Sequence, residues 1–514
     1  MPAVLAGCSL IYNPNNLPDP PVEAGIEGPI PIDASIDASA VQDANDSLLS
    51  LSDIAPTTID EGQGDGGSLP AVFVIRGHNI VNSNLKVELI PPDDVAVKLI
   101  PVTDALASHD GDYLAFTLTA QVDTALSSDV SLNIKVTQDV SPQYGGGTAT
   151  QMLPAALTLH GLPELTRVDL GSGNTLTTPA TATATVQRYS KVDLSAVATV
   201  NVTGSSPLVV SAAASIHLAG IVSFATAAVP GAGGNAGGLN AGACATVGGG
   251  GGRGGDADLG QLIKSGGGGG GGGASVAATA GTAGSGGFAG LAGLKSGDDT
   301  MVSLAANAAC AGGGGGKGGL LGSTGTPGSG GGGGGTLALL AGGDLTSAAI
   351  SVKGGNGVAG FGGGGGGGGG AGGNVLLRTD NGTLTTGAID ISAGSGGSSG
   401  GAGAVGRTRW DAPDGAAPSG QARRGIAFGR MPSRVFTTSS PTFPVVGTSG
   451  DGFSFRVIDQ SGASHDGGHA SFNNDAATIS PVLHAGANRV CVTIDGGARG
   501  SFEADRCVDV VFLP

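Results

Sequence analysis

Six arginines, one tryptophan, five cysteines and a few isolated histidines and aspartates are the residues here with chemistry to offer. Arg407, Arg409, Arg423, Arg424, Arg430 and Arg434 concentrate positive charge in a 514-residue chain of net charge −17, from 23 Lys and Arg against 40 Asp and Glu. Guanidinium forks grip carboxylates and phosphates through paired hydrogen bonds. Trp410, the only tryptophan, stands among them, and its ring could stack on a sugar. Arg407, Arg409, Trp410, Arg423 and Arg424 are therefore the candidate contact for surface polysaccharide or lipopolysaccharide, with a solvated linker as the plain alternative. Catalytic groupings are absent by pattern. Gly312 to Lys317 is spaced like a phosphate loop, but Gly318 stands where a hydroxyl should ligate magnesium. Gly396-Gly397-Ser398-Ser399-Gly400 has the numbers of a nucleophile elbow without its strand–turn–helix setting or a histidine partner. Asp256, Asp258, Asp298 and Asp299 read as solvated turns. His465-Asp466-Gly467-Gly468-His469 reads as a hairpin turn. No cysteine or histidine spacing suits zinc. The expectation is no catalytic residue, no metal and no cofactor.

The elements that position these residues are set by glycine, which supplies 102 of the 514 positions, about three times the usual share. Aromatics are 4% and charged residues 12%. A single compact core made of large side chains is excluded, and so is ordinary polar disorder, which needs dense charge. Collagen is excluded because the glycines have no strict three-residue period. An acidic chain lacks the basic footprint of a nucleic-acid binder, so no nucleic-acid partner is expected.

Leu5-Ala6-Gly7-Cys8 resembles the lipobox of bacterial lipoproteins. The resemblance implies lipidation of Cys8 and a membrane partner through that lipid anchor. Residues 1–7 are too short for a charged and an apolar leader region and read as a truncated signal remnant. Residues 8–53, rich in Pro, Asp, Ala and Ser, read as a disordered acidic tether. The other cysteines allow three pairings; Cys491–Cys507 and Cys244–Cys310 are the disulfides that fit an exported chain.

Residues 54–160 alternate as strands: Ala71 to Ile75, Leu85 to Leu89, Tyr113 to Leu118 and Val130 to Val136. Ile54-Ala55-Pro56, Glu61-Gly62 and the apolar strand ending in Gly77-His78-Asn79 resemble the IPT/TIG immunoglobulin-like domain. That resemblance implies a β-sandwich that spaces or binds.

Residues 161–405 repeat. Three units, 207–224, 336–355 and 374–394, each read as strand, tight turn, strand and glycine, with a degenerate copy at Met301–Leu304. Such units read as coils of a parallel β-solenoid. The glycine tracts 248–252, 266–273, 312–316, 330–335 and 362–370 are either loose loops or polyglycine II helices packed side by side. The strand–glycine units and Gly406-Arg407-Thr408-Arg409-Trp410-Asp411-Ala412-Pro413 resemble uncharacterised glycine-rich surface proteins of myxobacteria, from which no activity follows. Residues 406–436 read as an Arg-rich connector, and 437–514 as a small sandwich pinned by Cys491–Cys507.

The fold expected is all-β: an immunoglobulin-like sandwich, a glycine-rich parallel β-solenoid with polyglycine II helices, and a small C-terminal β-sandwich. The function expected is a non-enzymatic structural or adhesive module, lipid-anchored to the outer membrane on its surface or periplasmic face. A glycan-binding or glycan-processing β-helix is the alternative, and ice binding a further one.

Overall fold

The computed structural model describes residues 48–92, 102, 104–121, 126, 128–141, 146–178, 185–224, 254, 265–273, 276–283, 288–295, 300–304, 318–320, 323–419 and 422–514. Cys8, Cys244, Cys310, residues 1–47, Gly312 to Lys317 and the aspartates at 256, 258, 298 and 299 lie outside them. Among the described residues no helix is long and apolar enough to cross a membrane.

The architecture is all-β. The alternating strands near the N-terminus form two four-stranded sheets facing one another. Phe73, Ile75, Leu114, Phe116, Leu132 and Ile134 fill the space between them. Strand one, Ser50–Ala55, begins inside the stretch expected to be tether. Its pairing with Ala71–His78, and the ion pair of Asp53 with Arg76, anchor it in the sheet.

The repeats fold as two parallel sheets, of six and eight strands, facing each other across a narrow core. The aligned units stack in register. Leu208–Ala212 pairs with Thr336–Ala341, which pairs with Asn374–Thr379. On the other sheet Ile216–Phe224, Leu345–Ser351 and Thr383–Asp390 pair likewise. Alternate residues point inward, so Val210, Leu339 and Leu377 form one buried ladder. Each such fully buried aliphatic side chain stabilises the fold by about 1.5–3 kcal/mol. Met301–Leu304 is not a further coil. Met301 and Leu304 are instead buried against the outer side of the six-stranded sheet, beside Val209, Ala338 and Leu376.

The tracts 330–335 and 362–370 lead directly into the strands Thr336–Ala341 and Asn374–Thr379, as return legs of these coils. After Leu345–Ser351 the chain runs outward along 352–361, bends at Gly362 and Gly363 (φ 59° and 87°), and returns along 364–373 into the next strand. Only glycine takes two such conformations in succession without strain. The segments are not strands, because their hydrogen bonds leave in several directions with a period of three. Amides of Gly367, Gly370 and Gly373 donate to the carbonyls of Val358, Gly355 and Val352, at 2.8, 2.9 and 2.7 Å. Gly369 and Gly372 donate to Gly401 and Ala404. The carbonyls of Gly365, Gly368 and Ala371 accept from Gly328, Gly331 and Gly334, and those of Gly366 and Gly369 from Gly268 and Gly271. Gly394 and Gly397 donate to the carbonyls of Gly370 and Gly367. Period three with no positive φ between 364 and 373 is the polyglycine II conformation. One extended helix thus bonds to five neighbouring segments.

Such contact leaves no room for a side chain. A Cβ on Gly367 would lie 2.0 Å from the Ser329 carbonyl oxygen, and one on Gly370 1.9 Å from that of Gly332. Gly367→Ala should therefore cost about 1–3 kcal/mol as an overpacking change. Leu294→Ala, at a side chain 64% exposed, should stay within about 0.5 kcal/mol. Denaturant midpoints of the two variants check this; equal midpoints would mean the lattice yields freely.

The C-terminal part is a second sandwich, a three-stranded sheet over a five-stranded one. Phe443, Phe453, Phe472, Val490 and Val492 lie between them. Cys491 and Cys507 face each other on neighbouring antiparallel strands and form the expected disulfide. Gly467 and Gly468 make no hairpin turn: they lie inside the strand Ser464–Ser471, where a bulge opposite Phe455 and Arg456 absorbs them. The turn falls earlier, at Asp459 to Ala463, where the Asp459 carboxylate accepts from the amides of Ser461 and Ala463.

Candidate functional site

The proposed sugar contact is corrected by the solenoid. The coils do not stop at 405: Arg407–Asp411 pairs in parallel with Asn374–Thr379, and Ala422–Arg424 with Arg407–Asp411. Residues 406–436 are therefore not a plain connector. In this register Trp410 is opposite Leu377 and extends the inward ladder from Val210 and Leu339. It is 6% exposed and plugs the core instead of meeting a ligand. Arg424 lies over its ring at 4.7 Å and donates to the carbonyls of Ala412 and Pro413. Arg423 is paired with Asp451 at 2.5 Å. Arg407 sits at the start of the same strand, half-buried. The five residues thus share one end of the solenoid without forming an open face.

Arg409 points to the opposite side of the sheet and is fully buried. It makes a two-pronged pair with Asp411, at 2.8 and 3.0 Å, and donates to the carbonyls of Thr300 and Met301. Asp411 also takes a hydrogen bond from Arg506 of the C-terminal sandwich. Burial, with Arg378 and Arg409 nearby, pushes the Arg506 guanidinium well below its ordinary value. One carboxylate therefore holds two buried cations together and ties the solenoid to the last domain. Removing such an anion leaves uncompensated buried charge and costs about 3–5 kcal/mol. Asp411→Asn should lose stability in that range. Asp53→Asn, whose ion pair with Arg76 is half exposed, should lose under about 1 kcal/mol. Chemical denaturation of both variants would separate the cases.

The histidines also find carboxylates. His469 pairs with Asp495 at 2.9 Å, and His465 with Asp459 at 2.8 Å. His78 and His160 close strand ends against Asp112 and Asp129. His465 stacks on His484 with ring centres 4.0 Å apart. Asp459, His465 and His484 bring three potential metal-ligand atoms within 4.8 Å of one another. The Asp459 carboxylate already accepts from the Ser461 amide and hydroxyl, the Ala463 amide and the His465 ring, so the group serves first as a bonded turn. A second grouping, Cys491, Cys507 and Asp505, offers no thiolate because its sulfurs are joined. Burial pushes Asp459 up, but those hydrogen bonds outweigh it and hold its pKa at about 2. A depressed carboxylate contributes stability that is complete above its unfolded value, near 3.8, and is lost as pH falls toward 2. The stability gap between wild type and Asp459→Asn should be widest at neutral pH and close between about pH 4 and 2. Urea titrations across that range measure it, and a pH-independent gap would refute the assignment.

Two features that sequence patterns did not single out remain. The first is a row of apolar side chains on the glycine bundle. Phe288, Leu291 and Leu294 recur every third residue, so a threefold helix carries them on one side. They are 81%, 77% and 64% exposed. The amides of Gly290 and Gly293 between them donate to the carbonyls of Gly267 and Gly270 and fix that side outward.

The second is a cavity of about 470 Å³ where the first sandwich, the solenoid and the last sandwich meet. Its charged lining is Asp60 and His160 from the first, Arg188, Arg378 and Asp380 from the solenoid, and Arg434, Arg489 and Asp509 from the last. Arg188 pairs with Asp60 at 2.5 Å, Arg378 with Asp380 at 3.0 Å, and Arg489 with Asp509 at 2.7 Å.

Comparison with family models, curated proteins and solved structures finds no match. The apolar row can bury area against a partner, and the cavity can hold a small polar ligand of 300–1,000 Å³ class sites. The row was legible as a period of three once the tract was taken as a threefold helix. The cavity was not, because its arginines and aspartates come from positions up to 449 residues apart, Asp60 and Asp509.

Proposed function

We propose that this chain is a non-enzymatic surface module, structural and adhesive, held at the outer membrane by a lipid on Cys8. The observation that carries the reading is the apolar row Phe288, Leu291 and Leu294 standing outward from a bundle whose interior is all backbone. Polyglycine helices bonded on several sides make a stiff support, since no side chain can rearrange within it. A rigid support that displays large apolar groups suits contact with another surface, because exposed apolar patches mark interaction sites. The Cys491–Cys507 disulfide suits an oxidising compartment outside the cytoplasm. A glycan-binding role is the second reading, favoured by the arginine-lined cavity.

The test is binding of the oxidised chain to an array of polysaccharides, lipopolysaccharides and intact cells. A Phe288→Ser/Leu291→Ser/Leu294→Ser variant stands beside it. These side chains are exposed, so the variant should keep wild-type stability. Saturable binding should weaken at least tenfold in the variant. Equal binding by both proteins, or no binding by either, would remove the apolar row as an adhesive surface.

A further inference from the structure

The cavity between the three domains has an unusual charge balance. Of the charged residues that line it, four are arginines and three are aspartates. Three arginines are spoken for by Asp60, Asp380 and Asp509. The fourth, Arg434, makes no side-chain hydrogen bond or ion pair among the described residues. Burial pushes its guanidinium down to about 10, with Asp509 and Asp104 opposing the shift from a distance. Arg434 is half-buried, and a guanidinium with no partner on the protein keeps its donors for whatever enters the space beside it. The folded chain tolerates it beside an open volume of about 470 Å³. The lining therefore carries one net positive charge inside a chain of net charge −17.

The rest of the lining specifies what the anion is attached to. Gln63 and Ser211 offer both donors and acceptors, and the paired aspartates keep free lone pairs for hydroxyl groups. Ile59, Val72 and Leu340 supply apolar wall. Phosphate alone would use the arginines and leave this mixed lining unused. A polyhydroxyl ring bearing one carboxylate uses all of it, and the volume admits a ligand of one or two such rings.

We infer that the interdomain cavity is a binding site for an acidic sugar, whose carboxylate is held by the Arg434 fork and whose hydroxyls meet the paired Asp–Arg rim. The site deepens the glycan-binding reading and stands apart from the apolar row, so either can fail without the other. It also explains why three arginines arrive with aspartates: each pair presents a fixed acceptor and donor, while only Arg434 is left to take an external charge.

Isothermal titration of the full oxidised chain with D-glucuronate, D-galacturonate and their disaccharides tests the site. D-glucose and inorganic phosphate form parallel arms. One uronate should bind per chain, glucose should not bind, and phosphate should bind at least tenfold more weakly than uronate. Arg434→Met should weaken uronate binding at least tenfold. Arg434→Lys, which keeps the charge and loses the fork, should fall between and serves if the methionine variant does not fold. The Phe288→Ser/Leu291→Ser/Leu294→Ser variant should bind uronate as wild type does. Absence of saturable uronate binding overturns the proposal, and so does unchanged binding in a folded Arg434 variant. Phosphate binding as tight as uronate would make the cavity a plain oxyanion site and overturn the sugar assignment.

Discussion

In the glycine region backbone packs directly on backbone. In the helix 364–373 a peptide carbonyl sits where the Cβ of an ordinary residue would be, about 2 Å from the ideal position at Gly367, Gly368 and Gly370. Everything else about the glycine region follows from that distance. Fixing one residue's backbone costs about 1–2 kcal/mol, with glycine at the upper end, and each buried amide bond returns about 1 kcal/mol net. The two nearly cancel, so a polyglycine lattice has little stability of its own. It persists where its ends are already fixed and where no buried peptide group is left unmet.

The solenoid fixes those ends. Parallel strands rise about 3.3 Å per residue and threefold extended helices about 3.1 Å. A ladder can therefore pass from sheet into lattice with under 2 Å of drift across nine residues. The junction shows this continuity: Asn374 donates to the Gly335 carbonyl where the strands begin, and Gly334 to Ala371 just ahead of them. On the outgoing side Val352 donates to Asp390, and Gly354 to Ser392. The apolar ladders of the solenoid supply the burial energy, and the glycine legs inherit their register. At the other end of each coil the turns are tight and meet the first sandwich. Asp344 donates its amide to the Gly66 carbonyl there, and Asn381 reaches the carbonyl of Gly67.

How far the sequence discloses this varies with the physical range of each feature. The repeat units are legible because strand, turn and strand lie within about twenty residues, and their alignment gives the observed register. Polyglycine II was legible only as one of two conformations, since glycine carries no side-chain pattern and the deciding hydrogen bonds join Gly268 to Gly366 and Gly271 to Gly369. For Trp410 and Arg409 the residue type misleads, because strand parity and not chemical character decides which way each side chain faces. Aligning Arg407–Asp411 with Asn374–Arg378 places Trp410 on Leu377, an inward position, and Arg409 on Leu376, an outward one beneath another domain. His465 and His469 were misread for a related reason. Glycine pairs signal turns, but a bulge absorbs them when the flanking strand continues.

The cavity and the buried arginines share an origin in the way the domains join. A narrow solenoid of small and aliphatic residues meets the sandwiches through backbone bonds such as Asp344 to Gly66, an apolar contact at Phe502, and a set of arginines and aspartates. Where packing closes fully, as at Arg409, Asp411 and Arg506, the charges neutralise each other out of water. Where it does not close, the same residue types are left around an open volume, and one guanidinium remains over. A buried salt-bridge network is weak as a source of stability but strict about geometry, because a misplaced partner leaves a bare charge. The joint between domains is therefore rigid in its closed part, and that rigidity holds Arg434 in position beside a space its own chain does not fill.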